Sequence, residues 1–193
     1  MDILKIIKAR KTTRKYINKP VSRKIIDKII EAGRWAPSAH NLQPWHFVII
    51  INKQIITELV ILLKNPPHDI FTPIRILIKK SAEIIETAPA LILVYNKCSF
   101  SRKAKGLGKI YFTNAYISEI ESISAAIENM HLAATSLGVG MAWLAMPLLM
   151  QDKINGLLSL SDELVAILTL GYSGEKNKKS PRKPISEIIT YIK

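Results

Sequence analysis

Four short apolar runs constrain the fold of this chain more than any other feature. They predict strands over residues 46–51, 90–95, 141–145 and 165–171, because each is a short, nearly continuous stretch of apolar side chains. Five or six predicted helices lie among these strands without alternating regularly with them. No Gly-x-Gly-x-x-Gly motif follows the first strand. The pattern therefore disfavours a Rossmann sheet and favours a mixed α+β sandwich.

The predicted helices follow from the spacing of isoleucine and leucine residues. Asp2 and Ser22 are suitable N-caps for the first two helices, and Gly33 is a natural end for the second. Further predicted elements are helices over 55–63 and 118–137, a polar and mobile glycine-containing loop over 99–109, and a short helix or arm over 185–192.

Length and composition predict a single domain over residues 1–193, since 48% of the residues are hydrophobic and can supply a sizeable core. The only cysteine, Cys98, excludes an internal disulfide and a cysteine-built zinc site, and it is interpreted as a packing residue. No apolar run approaches the roughly 18–20 residues of a membrane helix. We therefore expect a cytoplasmic protein that has neither a membrane nor a metal partner.

The net charge of +13 has two interpretations. It could attract an anion such as a phosphorylated cofactor or a nucleic acid, or it could reflect lysines that coat the surface. The lysines are scattered and do not form basic stripes interleaved with aromatic residues, which favours the second interpretation and predicts no nucleic-acid partner. The basic residues 102–109 could steer an anionic substrate, or they could form a solvated loop.

A basic segment follows the first predicted helix. Arg10, Thr12 and Arg14 alternate there, so an extended backbone would place all three side chains on one face. Two guanidinium groups and a hydroxyl suit a phosphate or a carbonyl edge, because arginine presents a planar fork of donors. The alternative is a solvated helix end that carries favourable positive charge.

A second polar segment, residues 36–45, joins a predicted helix to a predicted strand. Its carboxamides, Asn41 and Gln43, offer paired donors and acceptors that suit the edge of a planar heterocycle. Trp45 and the following strand would supply an apolar wall. The alternative is a loop that only closes a turn.

The long predicted helix carries three polar residues that could be structural. Glu128 and Asn129 lie in its middle, and Asn129 could satisfy buried backbone groups. His131 is interpreted as a surface or packing histidine. No histidine has a partner at metal-ligand spacing, and neither a P-loop nor a Gly-x-Ser-x-Gly motif is present.

The order of the motifs resembles the FMN-dependent nitroreductase family over nearly the whole chain. The matching stretches are Arg10–Arg14, Pro37–Trp45, Glu128–Ala134 running into Gly138 and Gly140, Leu170–Tyr172, and Pro181–Arg182. The resemblance implies a three-layer α+β sandwich with a short, mixed but mainly antiparallel sheet flanked by helices. It also implies a homodimer with FMN bound at the subunit interface, partly by residues of the partner.

The resemblance also implies which residues bind the cofactor. They are Arg10, Lys11, Thr12, Arg14, Pro37, Ser38, Ala39, Asn41, Gln43, Met141, Ala142 and Arg182. By resemblance Arg10 and Thr12 hold the phosphate side, and Arg182 is a second phosphate anchor. Arg14 lies near the N1–O2 edge of the flavin ring.

The remaining residues of that set are expected around the ring. Ser38, Asn41 and Gln43 would bond to the ring and the ribityl chain, with Pro37 shaping the loop. Met141 and Ala142 would lie near the ring.

The implied activity is a ping-pong reaction that passes hydride from NAD(P)H through flavin N5 to a nitroaromatic, a quinone or a similar electron-poor molecule. No side-chain acid–base pair is identified, which agrees with chemistry carried by a cofactor. Arg14 would act electrostatically.

Several alternatives remain open. The same FMN motifs serve dehydrogenases, dehalogenases and flavin-fragmenting oxygenases, and a flavin-binding protein without turnover would share them as well. Net charge alone supports a nucleic-acid-binding domain. The motifs select neither NADH nor NADPH, and residues 64–80 and 99–109 match no motif that names an acceptor.

Overall fold

The central feature of the fold is a four-stranded antiparallel sheet. The computed structural model describes residues 2–175 and 180–192. The strands are β1 (Trp45–Ile50), β2 (Ala90–Asn96), β3 (Gly140–Leu144) and β4 (Glu163–Gly171). Their order across the sheet is β1-β2-β4-β3, and every neighbouring pair is antiparallel.

The described part of the chain contains seven α-helices. They are α1 (Ile3–Ala9), α2 (Arg23–Arg34), α3 (Lys53–Lys64), α4 (Thr72–Thr87), α5 (Ser99–Ala104), α6 (Lys109–Ser136) and α7 (Gln151–Leu158). Short 3₁₀ turns occur at Ala39–Asn41, Lys105–Leu107, Met146–Met150 and Ile185–Glu187. None of the described helices is both long enough and apolar enough to cross a bilayer.

Both faces of the sheet are covered by helices, which gives three layers. Along β2, Leu91 and Leu93 belong to one hydrophobic cluster, and Ile92 and Val94 belong to the other. Successive side chains of a strand point to opposite faces, so the two clusters lie on opposite sides of the sheet. The first cluster includes buried residues of α3, α4 and α7, and the second includes those of α2 and α6. The predicted α+β sandwich is confirmed.

The segment after α1 joins the free edge of β3. Thr12 forms a parallel bridge with Met141, and the N–H of Thr13 donates to the carbonyl of Met141 at 3.0 Å. This isolated bridge is the parallel contact at the edge of a sheet whose four strands are all antiparallel, whereas the resemblance implies a mixed, mainly antiparallel sheet.

Gly140 permits this close approach. A Cβ atom at position 140 would lie 2.7 Å from the Cβ of Thr13 and nearer still to its hydroxyl. Thr13 is 1% exposed, so it has little room to move away.

The prediction of a loop over residues 99–109 is wrong. These residues form α5, a 3₁₀ turn and the first residue of α6. The carboxylate of Glu119 accepts from the N–H groups of Phe100 (2.8 Å) and Ser101 (3.3 Å), which satisfies donors at the start of α5. Because this cap comes from the next helix, the local sequence does not reveal it.

Two further differences concern helix extent. Helix α6 begins at Lys109, nine residues before the predicted start at 118, and α4 occupies most of the stretch that matches no motif. The strand predictions agree with the structure to within two residues.

We expect Gly140→Ala to destabilise the fold by about 1–3 kcal/mol, because the added methyl group overlaps a buried threonine that cannot retreat. Urea unfolding monitored by circular dichroism measures this loss. Gly156→Ala is the matched control, since Gly156 lies within α7 with open space around its Cβ position. The control should unfold at an equal or higher urea concentration, because alanine is the better helix former. Equal midpoints for wild type and Gly140→Ala would contradict the close approach.

Candidate functional site

A hydrogen-bonded relay holds the basic segment against the sheet. The hydroxyl of Tyr16 donates to the carbonyl of Thr13 at 2.7 Å. Thr169 of β4 lies 2.6 Å from the same hydroxyl, and its own oxygen accepts from the N–H of Ala142 at 3.2 Å. Because a carbonyl can only accept, the Tyr16 proton goes to Thr13, and Thr169 donates to Tyr16. Burial raises the pKa of Tyr16, so the relay keeps this proton at neutral pH.

The relay fixes the direction of the neighbouring side chains. The backbone is extended at Arg10, and Thr13 is buried, whereas Thr12 is half-buried and Arg14 is exposed. Met141 pairs with this segment and Ala142 follows it in β3, and both residues are buried. The structure therefore brings Thr12 next to Met141, beside an apolar strand.

Arg10 contacts the long helix. Its Nε lies 3.5 Å from Oε1 of Glu128, and its side chain is 22% exposed. The guanidinium therefore lies in a partly screened position, where a further anion would meet a strong and directional donor.

His131, interpreted from the sequence as a surface or packing histidine, is buried in α6. It is 4% exposed, and its Nε2 is buried without a hydrogen-bond partner among the described residues. Burial, and secondarily the charge of Arg10, lower the pKa of His131 to about 4. His131 follows Glu128 by three residues, so both lie on one face of α6. The charge of Arg10 comes from a distant part of the chain, so the local sequence does not reveal its effect on His131.

The amide loop, residues 38–43, is strained and anchored. His40, Asn41 and Gln43 have left-handed backbone conformations, with φ values of 50°, 55° and 47°. The hydroxyl of Ser38 accepts from the N–H of Gln43, and the Gln43 amide donates to Oδ1 of Asn41, both at 3.1 Å. Strain of this kind persists only where the surroundings enforce it, and it clusters at functional sites.

The amide loop and the basic segment contact different faces of α6. The N–H of Ala39 donates to the hydroxyl of Ser122 at 3.1 Å, whereas Arg10 contacts Glu128. Six residues of α-helix correspond to about 9 Å along the axis and roughly 120° around it. One chain therefore presents these two groups of predicted site residues in different directions.

The remaining predicted residues are at the surface. Lys11 and Pro37 are exposed, as is Arg14, whose N–H donates to the carboxylate of Glu175 at 3.0 Å. Arg182 is exposed as well, and its guanidinium donates to the carbonyls of Ser180 and Pro181, both at 3.2 Å. Its contacts with these two residues are local to the C-terminal segment.

Cys98 belongs to a separate polar cluster. Its thiol lies 3.3 Å from Oε2 of Glu163, which also accepts from the amide of Asn96 at 3.1 Å. Burial and the neighbouring carboxylate raise the pKa of Cys98 to about 12, so the thiol is protonated and is a poor nucleophile at neutral pH. Among residues 2–175 and 180–192, no three His, Cys, Asp or Glu side chains are grouped to bind a metal ion.

Comparison with known proteins agrees with this architecture. The Nitroreductase family model matches residues 7–172. A Methanothermobacter thermautotrophicus protein provisionally named NADH dehydrogenase/NAD(P)H nitroreductase is 29% identical over 91% of this chain and 79% of its own length. Iodotyrosine deiodinase from Hydra vulgaris is 27% identical over 97% of this chain and 72% of its own length.

Solved structures show the same fold. A nitroreductase with bound FMN from Bacteroides fragilis superposes with a TM-score of 0.79 at 25% identity, with full coverage of both chains. A BluB-like flavoprotein from Clostridium difficile gives 0.81 at 28% identity, again with full coverage of both chains. The chain belongs to the nitroreductase family. The predicted family and enzyme class, an oxidoreductase of the nitroreductase type, are therefore confirmed.

We expect His131 to make the fold sensitive to acid. Below about pH 6.5 an unfolded histidine gains a proton, whereas folded His131 stays neutral until about pH 4. Stability is therefore lost as the pH falls through this window, by on the order of 3 kcal/mol at its lower end. Urea unfolding of wild type and His131→Gln at several pH values measures the difference, since other acid-sensitive groups are common to both. Parallel pH profiles for the two proteins would contradict a buried neutral His131.

Proposed function

We propose that the chain binds FMN and transfers hydride from NAD(P)H to an electron-poor small molecule, such as a nitroaromatic or a quinone, in a ping-pong reaction. The observation that carries the proposal is the basic segment fixed on β3, which sets Thr12 beside buried Met141 and Arg10 beside Glu128 of α6. When bound, the flavin supplies the hydride carrier, and the chain supplies binding, orientation and electrostatics.

The donor set fits a phosphorylated cofactor. Arg10 offers a partly buried guanidinium and Thr12 a hydroxyl, which are the groups that hold a phosphate. In this proposal Lys11 adds positive charge beside them, and Arg182 adds a second guanidinium from the C-terminal segment. Phosphate binding would compete with Glu128 for Arg10.

Different residues would face the ring. In this proposal the backbone of β3 at buried Met141 and Ala142 is a rigid edge beside the ring, and the strained amide loop presents Asn41 and Gln43. In this proposal Ser38, Pro37 and Ala39 maintain that loop and contribute polar groups to the cofactor. Arg14 would stabilise negative charge on the N1–O2 side of the reduced ring.

We further propose that two copies of the chain complete each site. The separation of the amide loop from Arg10 around α6 supports this, because a loop directed elsewhere can serve the partner's cofactor. The C-terminal segment 180–192 is exposed throughout and carries apolar residues such as Ile188 and Tyr191, which are 68% and 81% exposed. A segment of this kind would bury those side chains against a second copy.

A second candidate is reductive dehalogenation at the same site. The observation that supports this candidate is the 27% identity to iodotyrosine deiodinase from Hydra vulgaris. This candidate shares the binding residues above and differs only in the acceptor, so acceptor tests separate the two.

The proposed function is tested by the visible spectrum of the purified protein before and after anaerobic addition of NADH or NADPH. The expected result is a flavin spectrum that bleaches with at least one donor and recovers with a nitroaromatic or a quinone. Recovery only with a halogenated phenol would support the second candidate. A colourless protein that takes up no added FMN would contradict both.

Arg182→Ala should weaken FMN binding by roughly 1.5–3 kcal/mol, the cost of losing a hydrogen bond to a charged group. Titration calorimetry of the apoprotein with FMN measures the change. Arg23→Ala is the control for lost positive charge, since the Arg23 side chain is 93% exposed at the start of α2. Equal FMN affinity in wild type and Arg182→Ala would remove Arg182 from the site.

Arg14→Ala should lower the reduction potential of the bound flavin more than it weakens binding, because a cation near N1–O2 favours the reduced, more negative ring. Arg14→Lys keeps the charge and should recover most of the potential. Dye-coupled potentiometry of the holoproteins measures all three values. A wild-type potential in Arg14→Ala would show that this side chain lies away from the ring.

A further inference from the structure

His131 is buried beside Arg10, but nothing in the fold itself requires an imidazole there. Its Nε2 is enclosed and unpaired among the described residues, although buried polar atoms in folded proteins nearly always have a partner. An apolar residue of similar size would avoid this cost. The orphaned atom therefore indicates a partner other than the described residues, either a buried water or an atom of a bound ligand.

The surroundings of His131 indicate the charge of that partner. Arg10 is the charged group whose field acts on the imidazole, and Glu128 pairs with Arg10 one helical turn before His131. Strands β2 and β3, which pack against α6, contain no charged residue, and the buried residues of α2 are Ile26, Ile29 and Gly33. The other helices that pack against α6 carry only positive charge, with Lys5 and Lys8 on α1 and Arg102 and Lys103 on α5. The imidazole thus lies in a buried, largely apolar setting in which the charge that acts on it is a guanidinium, an environment that suits an anion.

We propose that His131 is a further residue of the cofactor's phosphate site, and that its Nε2–H donates a hydrogen bond to the phosphate monoester that Arg10 binds. This inference rests on the proposed FMN function and adds to it a residue on α6. Arg10, Thr12 and His131 would then approach the phosphate from the N-terminal segment and from the long helix.

The phosphate would also change the protonation of His131. In the free protein, burial and Arg10 both disfavour the imidazolium. A phosphate dianion offsets the charge of Arg10 and attracts a proton to the imidazole, so binding should raise the pKa of His131. Riboflavin has the same ring and ribityl chain without the phosphate, and it should not have this effect.

The test compares FMN with riboflavin in three proteins. Titration calorimetry at neutral pH gives the ratio of the two affinities for wild type, His131→Leu and His131→Gln. His131→Leu should lose about tenfold of the preference for FMN, which corresponds to one hydrogen bond to a charged group. His131→Gln retains an N–H donor and should keep most of the preference. Riboflavin affinity should be the same in all three proteins, because riboflavin lacks the phosphate that His131 would contact. A purely structural role of His131 would instead change the affinities for FMN and riboflavin together.

A second measurement does not depend on any variant's folding. Nitrogen-15 NMR of the histidine side chains in wild type should show that FMN raises the pKa of His131 and that riboflavin leaves it unchanged. Two results would overturn the role of His131 and leave the proposed function intact. One is strong FMN binding in His131→Leu with the same ratio of FMN to riboflavin affinity as in wild type. The other is a pKa of His131 that FMN does not change in wild type. A wild-type protein that binds neither flavin would instead overturn the proposed function.

Discussion

The relay from Thr169 through Tyr16 to Thr13 is the interaction on which the site depends. It joins β4 to a segment that would otherwise be a solvated helix end, and it does so through buried groups whose loss would leave unpaired polar atoms. Gly140 completes the arrangement, because only a residue without a side chain lets Thr13 lie against β3. The basic segment therefore has one conformation before any ligand binds, which reduces the ordering cost of binding.

Helix α6 connects the parts of the site. It contacts the amide loop at Ser122 and Arg10 at Glu128, and Asn129 donates to the carbonyl of Ala32 in α2 at 3.2 Å. Nine residues of the helix are buried, among them the polar residues Glu119, Ser122 and His131. A single long element thereby fixes two groups of binding residues at a set distance and angle, which is the arrangement expected where two subunits share cofactors.

The sequence predicts the sheet well, because four apolar runs can be buried only as strands of one core. It also predicts that Arg10, Thr12 and Arg14 share a face if the segment is extended, and the structure places Thr12 of that segment in a parallel bridge with Met141. Local patterns fail where a distant residue decides the structure. Residues 99–109 are helical because Glu119 caps them, and the environment of His131 depends on Arg10, more than a hundred positions earlier. Neither contact leaves a local signature.

In our proposal the fixed basic segment and the strand beside it form the FMN site. Hydrogen–deuterium exchange of the protein with and without FMN would show whether the cofactor binds there. We expect FMN to slow exchange in peptides that cover residues 10–16, 38–43 and 140–144, while peptides from α4 keep their rates. FMN binding that slows exchange only outside these three segments would contradict the account.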